Sequence, residues 1–480
     1  MQRIIRKISA FFSRSSHNPL PPGANRQPDI LKRQQHNISR NSIDKNALDV
    51  LYGLKRANFE AYLVGGGVRD LLLGLEPKDF DVVTNAEPEQ IKRVFKHRCR
   101  LIGRRFRLAH VRFGRNVIEV ATFRGSGEGE SKGKRLGFGH KTQGQSREVD
   151  ESGRLVRDNI YGTIDEDVWR RDFTVNALYY DIKDFSILDY AGGLQDIEKG
   201  QLRLIGDPAT RYREDPVRLI RAVRFAAKLG FRIEHETEAP IEPLGHLLKD
   251  VSHARMFEEV LKLFHSGVAL EVLEKLRHYD LFGYLFPMTD EMLDQAEDSN
   301  ARQLVLEALK STDRRINSNM TVNPSFLFAA MLWGPLIRRR AQHLESGLNH
   351  QDALFAAAND VLEQQIRCTA IPKRFSAQVR DIWGLQFRLP NRHGDRAQKL
   401  MEHPRFRAAY DFMGIRAASG EADLQAVFDW WTEYQEKEPV ERIAFANEVK
   451  KNKPKKRTRR NRNFYRKRSQ SGSQNGTESQ

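Results

Sequence analysis

Apolar positions along the chain change character near residue 200. Before it they form short runs broken by glycine and charge, and beyond residue 240 they recur at helical spacing with little chemistry between them. The first part predicts a helix over 44–57, a strand at Ala61–Val64, a glycine turn at Gly65–Gly67, and a helix from Val68 to Leu73 closed by Gly74. An extended segment follows over Asp79–Val83. Glu87-Pro88 opens a helix to about Phe95, with proline at a tolerated first-turn position. Strands are expected over 101–107, 108–113 and 117–123, the last two joined as a hairpin by Gly114-Arg115-Asn116. Helices pack on one side of this small sheet, and the turn Asp189–Gly193 closes it. A further helix over 216–229 has Asp215 as N-cap, Pro216 at its first position and Gly230 as terminator. The second part predicts helices over 256–266, 268–278, 301–311, 325–340, 352–367, 373–384, 396–414 and 421–436. Trp333, Trp383, Trp430 and Trp431 read as packing between them.

A length of 480 residues exceeds one core, and about two to four domains are expected. The formal charge of +17 is unevenly placed: residues 1–40 carry +7 and residues 450–480 carry +11, leaving −1 between them. Basic arms on a near-neutral body suit a polyanionic partner. Residues 1–41 read as a basic, disordered extension, with contact of its Ile and Phe residues with a membrane surface as the weaker alternative. Lys450–Arg468 holds twelve basic residues around Phe464 and Tyr465, a composition suited to RNA through counterion release and stacking. Cys99 and Cys368 form no metal or redox motif, and no run of 18 apolar residues exists, so a reducing, cytoplasmic location is expected.

The chemistry concentrates between Gly65 and Asp81. Glycines without Cβ atoms leave backbone N–H groups bare at a helix start, where an anion such as a triphosphate is favoured. Asp79 and Asp81 lie two apart, so their carboxylates leave one face and repel unless a hard cation such as Mg2+ lies between them. A phosphate turn followed by paired carboxylates points to nucleotidyl transfer with two metal ions. Glu119 falls inside an apolar strand, where it is either a further metal ligand or the partner of Arg124. Residues 124–154 read as a Gly/Ser-rich loop near the site. Arg170, Arg171, Asp172 and Asn176 are either exposed helix-start charge or an arginine fork on phosphates with Asn176 on a ribose hydroxyl. Asp215 and Arg218 are either a local ion pair or the acceptor and donor that meet an adenine edge.

Together Leu63–Asp70, Asp79-Phe80-Asp81, Glu119–Arg124, Arg170–Asn176 and Glu214–Arg218 resemble, in order, the motifs of the nucleotidyltransferase superfamily that includes tRNA CCA-adding enzymes and bacterial poly(A) polymerases. The resemblance covers about residues 44 to 280. Leu101–Val111 looks like the segment that sets the bacterial polymerases apart, and the absence of a His-Asp doublet removes the phosphohydrolase domain of some CCA-adding enzymes. The fold implied is α+β: a polymerase-beta-like nucleotidyltransferase palm head with a small mixed sheet (42–200), then an all-α neck (201–280), body and tail (281–449) and a basic RNA-binding tail (450–480).

The activity implied is template-independent addition of AMP from ATP to RNA 3' ends, with polyadenylation feeding RNA turnover. Asp79 and Asp81 would hold two Mg2+ ions. For the third catalytic carboxylate, motif matching ranks Asp172 first, while strand position favours Glu119. Gly65, Gly66 and Arg69 would contact the triphosphate, and Asp215 with Arg218 would read the base. The partners implied are RNA 3' ends, ATP and the RNA decay machinery, acting on a monomer. A CCA-adding enzyme, which takes CTP as well, is the rival within the superfamily. A non-catalytic RNA-binding protein on the same fold is the rival outside it, and the paired carboxylates argue against it.

Overall fold

The computed structural model describes residues 27–103, 107–125, 147–149, 155–158, 160–295 and 299–451. Most of the loop expected over 124–154, part of the Leu101–Val111 segment, the first 26 residues and the basic tail after 451 lie outside these residues.

An eight-stranded mixed sheet forms the head. Its strands are β1 (Asp29–Leu31), β2 (Ala61–Val64), β3 (Asp81–Thr84), β4 (Cys99–Ile102), β5 (Leu108–Phe113), β6 (Asn116–Thr122), β9 (Leu178–Asp181) and β10 (Ile187–Asp189), in the order β1-β10-β9-β2-β3-β6-β5-β4. Two short strands, β7 (Arg147–Val149) and β8 (Leu155–Asp158), pair only with each other. The β3–β6 pair is parallel and the other neighbours in the large sheet run antiparallel.

The helix expected over 44–57 is α1 (Lys45–Arg56). Asp44 Oδ1 accepts from the N–H groups of Asn46 and Ala47 at 2.8 and 3.2 Å, and Ala47, Val50, Leu51 and Leu54 line its buried stripe. It covers one sheet face together with α2 (Gly66–Leu72) and α3 (Pro88–Phe95), sharing a core with Leu63, Val82 and Val120. The opposite face packs a smaller cluster of Val64, Val83, Phe123 and Tyr179 against Val168 of α4 (Ile164–Arg170).

Several expectations shift. The head begins ahead of residue 42: β1 pairs with β10, Ile38 is buried, and His36 Nε2 lies 2.8 Å from the Phe185 carbonyl oxygen. A single strand of apolar Ile30 and Leu31 within polar sequence carried too little pattern to be seen. The helix expected over 325–340 is two, Pro324–Met331 and Trp333–Glu345, because Pro335 has no N–H to continue the first ladder and lies instead in the opening turn of the second. Pro404 divides the helix expected over 396–414 in the same way, into Asp395–Met401 and Phe406–Ala418. Trp383 and Trp431 are fully buried, and their indole N–H groups reach the carbonyls of Ala329 and Leu389 at 3.1 Å.

The neck begins after α5 (Gly193–Lys199) and the short β11 (Gln201–Leu202), with α6 (Pro208–Glu214) and α7 (Val217–Leu229), followed by β12 (Arg232–Ile233), which pairs with β11. One continuous apolar core runs from Leu31 in the head to Phe412 in the helical body. The sheet and the helices α6 and α7 are therefore packed as one unit.

Candidate active site

β2 delivers the chain to Gly65, whose φ of +77° belongs to the region that favours glycine, and α2 starts at the next residue. A Cβ on Gly65 would stand 3.7 Å from Asp81 Oδ2, so the turn and the carboxylate share one corner. Strand pairing begins at Asp81, opposite Val64, while Asp79 precedes the strand with its carbonyl oxygen against Gly67. Because Val82 pairs with Val120 in parallel register, Asp81 comes level with Glu119, on the face opposite buried Ile118 and Val120.

Asp81 keeps more than a third of its surface open to water, yet its carboxyl is pushed up to about 6. Burial of its carboxylate among protein atoms is the largest cause, followed by the charge of Glu119; Arg171 pulls the other way, and Asp79 adds a further push. Glu119 does not pair with Arg124. Its side chain meets His110 Nε2 across the β5–β6 ladder at 3.2 Å and stays half exposed. Among the described residues no three His, Cys, Asp or Glu side chains close into a metal cage. Open, mutually repelling carboxylates fit Mg2+, which takes one or two carboxylates and completes its shell with water and phosphate oxygens.

Asp172 is placed quite differently. It follows α4, and Arg221 of α7 grips its Oδ2, with Nε at 2.9 Å. Oδ1 accepts from its neighbour's N–H, that of Phe173, at 2.8 Å and from Asn176 Nδ2 at 3.1 Å. Burial alone would raise this carboxyl, but Arg221, Asn176 and the Phe173 N–H override it and hold it well below the usual carboxylate range. Asn176 is itself committed, accepting from Arg69 through Oδ1.

Arg69 is 1% exposed, so its guanidinium is not presented to a triphosphate. Its Nε and Nη2 donate to Asp70 Oδ1 at 2.8 and 2.6 Å, and Lys228 of α7 reaches Asp70 Oδ2 at 3.3 Å. Arg171 stays partly open, with Nε and Nη2 on Asp167 Oδ2 at 3.1 and 2.8 Å and Nε also 2.7 Å from the Tyr179 hydroxyl. Its effect on Asp81 places its charge at the same site.

The cap expected of Asp215 is not made. Asp215 ends α6, Pro216 occupies the N-cap position of α7, and both Asp215 oxygens accept from Arg255 at 2.7 Å. A bidentate guanidinium outcompetes a cap bond. Arg218, 8% exposed, turns back to the Arg211 carbonyl at 2.8 Å and Glu214 Oε2 at 3.2 Å.

Sequence reading passed over Arg221, Arg224 and Arg211. The spacing 218, 221, 224, 228 puts four cations along one side of α7, and that period was the available signal. Arg224 packs over the Phe225 ring at 4.4 Å, its Nε has no hydrogen-bond partner among the described residues, and burial first, then Arg221, lowers it to about 10. Arg211 is likewise lowered to about 10 by burial and then Arg218. Crowded guanidiniums along a seam are a site for an anion.

Comparison with known proteins agrees with this geometry. Residues 61–203 match the family described as the poly A polymerase head domain, 230–293 the probable RNA and SrmB-binding site of polymerase A, and 346–464 the polymerase A arginine-rich C-terminus. The poly(A) polymerase I of Salmonella typhi is 52% identical over 423 residues, 88% of each chain. That of Haemophilus influenzae is 47% identical over 85% of this chain and 88% of its own. The CCA-adding enzyme of Lactobacillus helveticus is 38% identical but over only 47% of this chain and 52% of its own. Among solved structures, the Thermotoga maritima CCA-adding enzyme complexed with tRNA has a TM-score of 0.51 at 19% identity, covering 85% of this chain and 86% of that one. A tRNA-processing enzyme with CTP has a TM-score of 0.53 at 22% identity, covering 84% and 96%. These likenesses carry the fold, a nucleotidyltransferase head on a mostly helical remainder. With half its residues shared along nearly the whole length, the chain belongs to the bacterial poly(A) polymerase I family.

Proposed function

We infer that this protein is a template-independent polynucleotide adenylyltransferase that adds AMP from ATP to RNA 3' ends. The observation that carries the reading is the open Asp81 carboxylate, level with Glu119 and close to Asp79, at the corner of the Gly65 turn. Asp81 and Asp79 would hold the Mg2+ ions with Glu119 as the third carboxylate, in place of Asp172. Bound Mg2+ lowers the pKa of the primer 3'-hydroxyl and offsets charge on the departing pyrophosphate.

The 3'-oxygen attacks the α-phosphorus as the bond to pyrophosphate breaks, and the chain's own task is alignment. Bare N–H groups after Gly65, the partly open Arg171 and the unpartnered edge of Arg224 bind phosphate oxygens. Asp172 gripping Arg221, and Asp70 holding Arg69 and Lys228, fix α7 against the head. Asp215 and Arg218, at the junction of α6 and α7, would read the base by exchanging their partners Arg255 and Glu214 for it. RNA follows the basic neck and the arginine-rich C-terminal region.

Further parts of the proposal are a cytoplasmic enzyme working as a monomer, with the RNA decay machinery as partner. The two free cysteines suit a reducing compartment, and no described helix is long and apolar enough to cross a membrane.

Primer extension with Mg2+ tests the function. An unstructured RNA supplied with ATP should give a long ladder that Asp79→Ala/Asp81→Ala abolishes. Addition limited to C, C and A on a tRNA lacking its end would replace this reading with the CCA-adding one.

A further inference from the structure

The body contains a cavity that shares no residue with the site around Asp81. It has a volume of about 600 Å³ and lies among the helices Ser299–Asn317, Pro324–Met331 and Phe406–Ala418, with Phe428 of Gln425–Glu436 at its edge. That volume falls within the ~300–1,000 Å³ of sites that enclose a nucleotide-sized molecule.

Three features of its wall point to one ligand chemistry. His265 closes the helix His253–Phe264, and its buried Nε2 has no hydrogen-bond partner among the described residues. Burial pushes this imidazole down to about 4, so it is neutral near pH 7 and leaves an unsatisfied polar atom at the cavity wall. Phe326 and Phe428 supply the aromatic lining: Phe428 stacks on Tyr410 with centroids 4.7 Å apart, Phe326 meets Phe412 edge-on at 5.8 Å, and Gly414 lets the Phe428 ring come close, since a Cβ there would stand 2.6 Å from it. Arginines outnumber acids on the wall by four to two. Arg407 is engaged by Asp411 at 3.0 Å and Arg315 by the Thr321 carbonyl, but Arg314 and Arg405 have no side-chain partner among the described residues.

We propose that this cavity binds a nucleotide unit, with its base against the wall that holds Phe326, Phe428 and His265, and its phosphate on Arg314 and Arg405. Flat aromatic surface, a neutral polar group and excess guanidinium match a base, its edge and a phosphate. A free nucleotide and a nucleotide within an RNA strand offer the same chemistry.

Photolabelling of the full chain tells the two sources apart, with peptide mapping to keep the body distinct from the head. The probes are 8-azido-AMP and a hexa-adenylate carrying one 8-azidoadenine. The proposal expects saturable labelling within 311–328 or 404–428, reduced at least tenfold in Arg314→Ala/Arg405→Ala, with head labelling and the thermal midpoint unchanged. Labelling of the body by both probes assigns a free nucleotide as a sufficient ligand; labelling by the oligonucleotide alone assigns an RNA strand. No saturable labelling of the body by either probe, or labelling that the double variant leaves intact, overturns the proposal.

Discussion

Asp81 and Asp172 belong to the same head and to motifs of similar appearance, but their surroundings are opposite. Asp172 is gripped by Arg221 and two further donors and is held ionised; Asp81 faces Glu119 and Asp79 and is pushed toward neutrality. A satisfied carboxylate holds structure together, whereas one left among like charges has a free-energy reason to take a cation. The difference separates an anchor from a proposed metal site, although both aspartates sit in family motifs.

The largest effect should come from Asp81. Asp81→Ala should lower the rate of primer extension by on the order of 10³-fold, the equivalent of about 4 kcal/mol of transition-state stabilisation. Its fold should survive. Since a raised carboxyl costs stability once ionised, the metal-free wild type should gain stability as pH falls through about 6 toward the unfolded value of about 3.9. Asp81→Asn should flatten that slope and raise the midpoint at pH 8, as read by calorimetry in EDTA.

Asp172→Asn should act in the other direction, losing about 1–3 kcal/mol of stability by urea unfolding because the partly buried Arg221 loses its charged partner. The depressed carboxyl stabilises the fold above its unfolded value of about 3.9 and loses that contribution as pH falls below it. A variant slope unchanged at acid pH would break the contrast. Glu119→Gln should leave stability nearly unchanged and slow extension by about 10- to 100-fold. Smallest of all, His110→Gln removes a half-exposed pair worth under about 1 kcal/mol and should change rate by less than about 3-fold. A larger loss would mean that His110 positions Glu119.

Much of this was legible in the chain. Gly65, Asp79 and Asp81 follow one another closely, and local order alone implies a turn leading to carboxylates. Helices with clear periods, such as Lys45–Arg56, were readable for the same reason. What depended on distant pairing was not. The level placement of Asp81 and Glu119 needs the parallel β3–β6 register, which the 37 residues between them do not announce. The engagement of Asp172 by Arg221 and of Asp215 by Arg255 joins residues 49 and 40 positions apart. Motif matching ranks Asp172 first from residue types alone, and the partners that set it apart from Glu119 lie far away in the chain.

The most direct test is the Mg2+ dependence of primer extension in Glu119→Gln and Asp172→Asn, each measured at a temperature where the protein is fully folded. The account predicts that Glu119→Gln raises the Mg2+ concentration for half-maximal rate at least tenfold while Asp172→Asn leaves it within twofold of the wild type. A shift in Asp172→Asn with none in Glu119→Gln would contradict it and return Asp172 to the metal site.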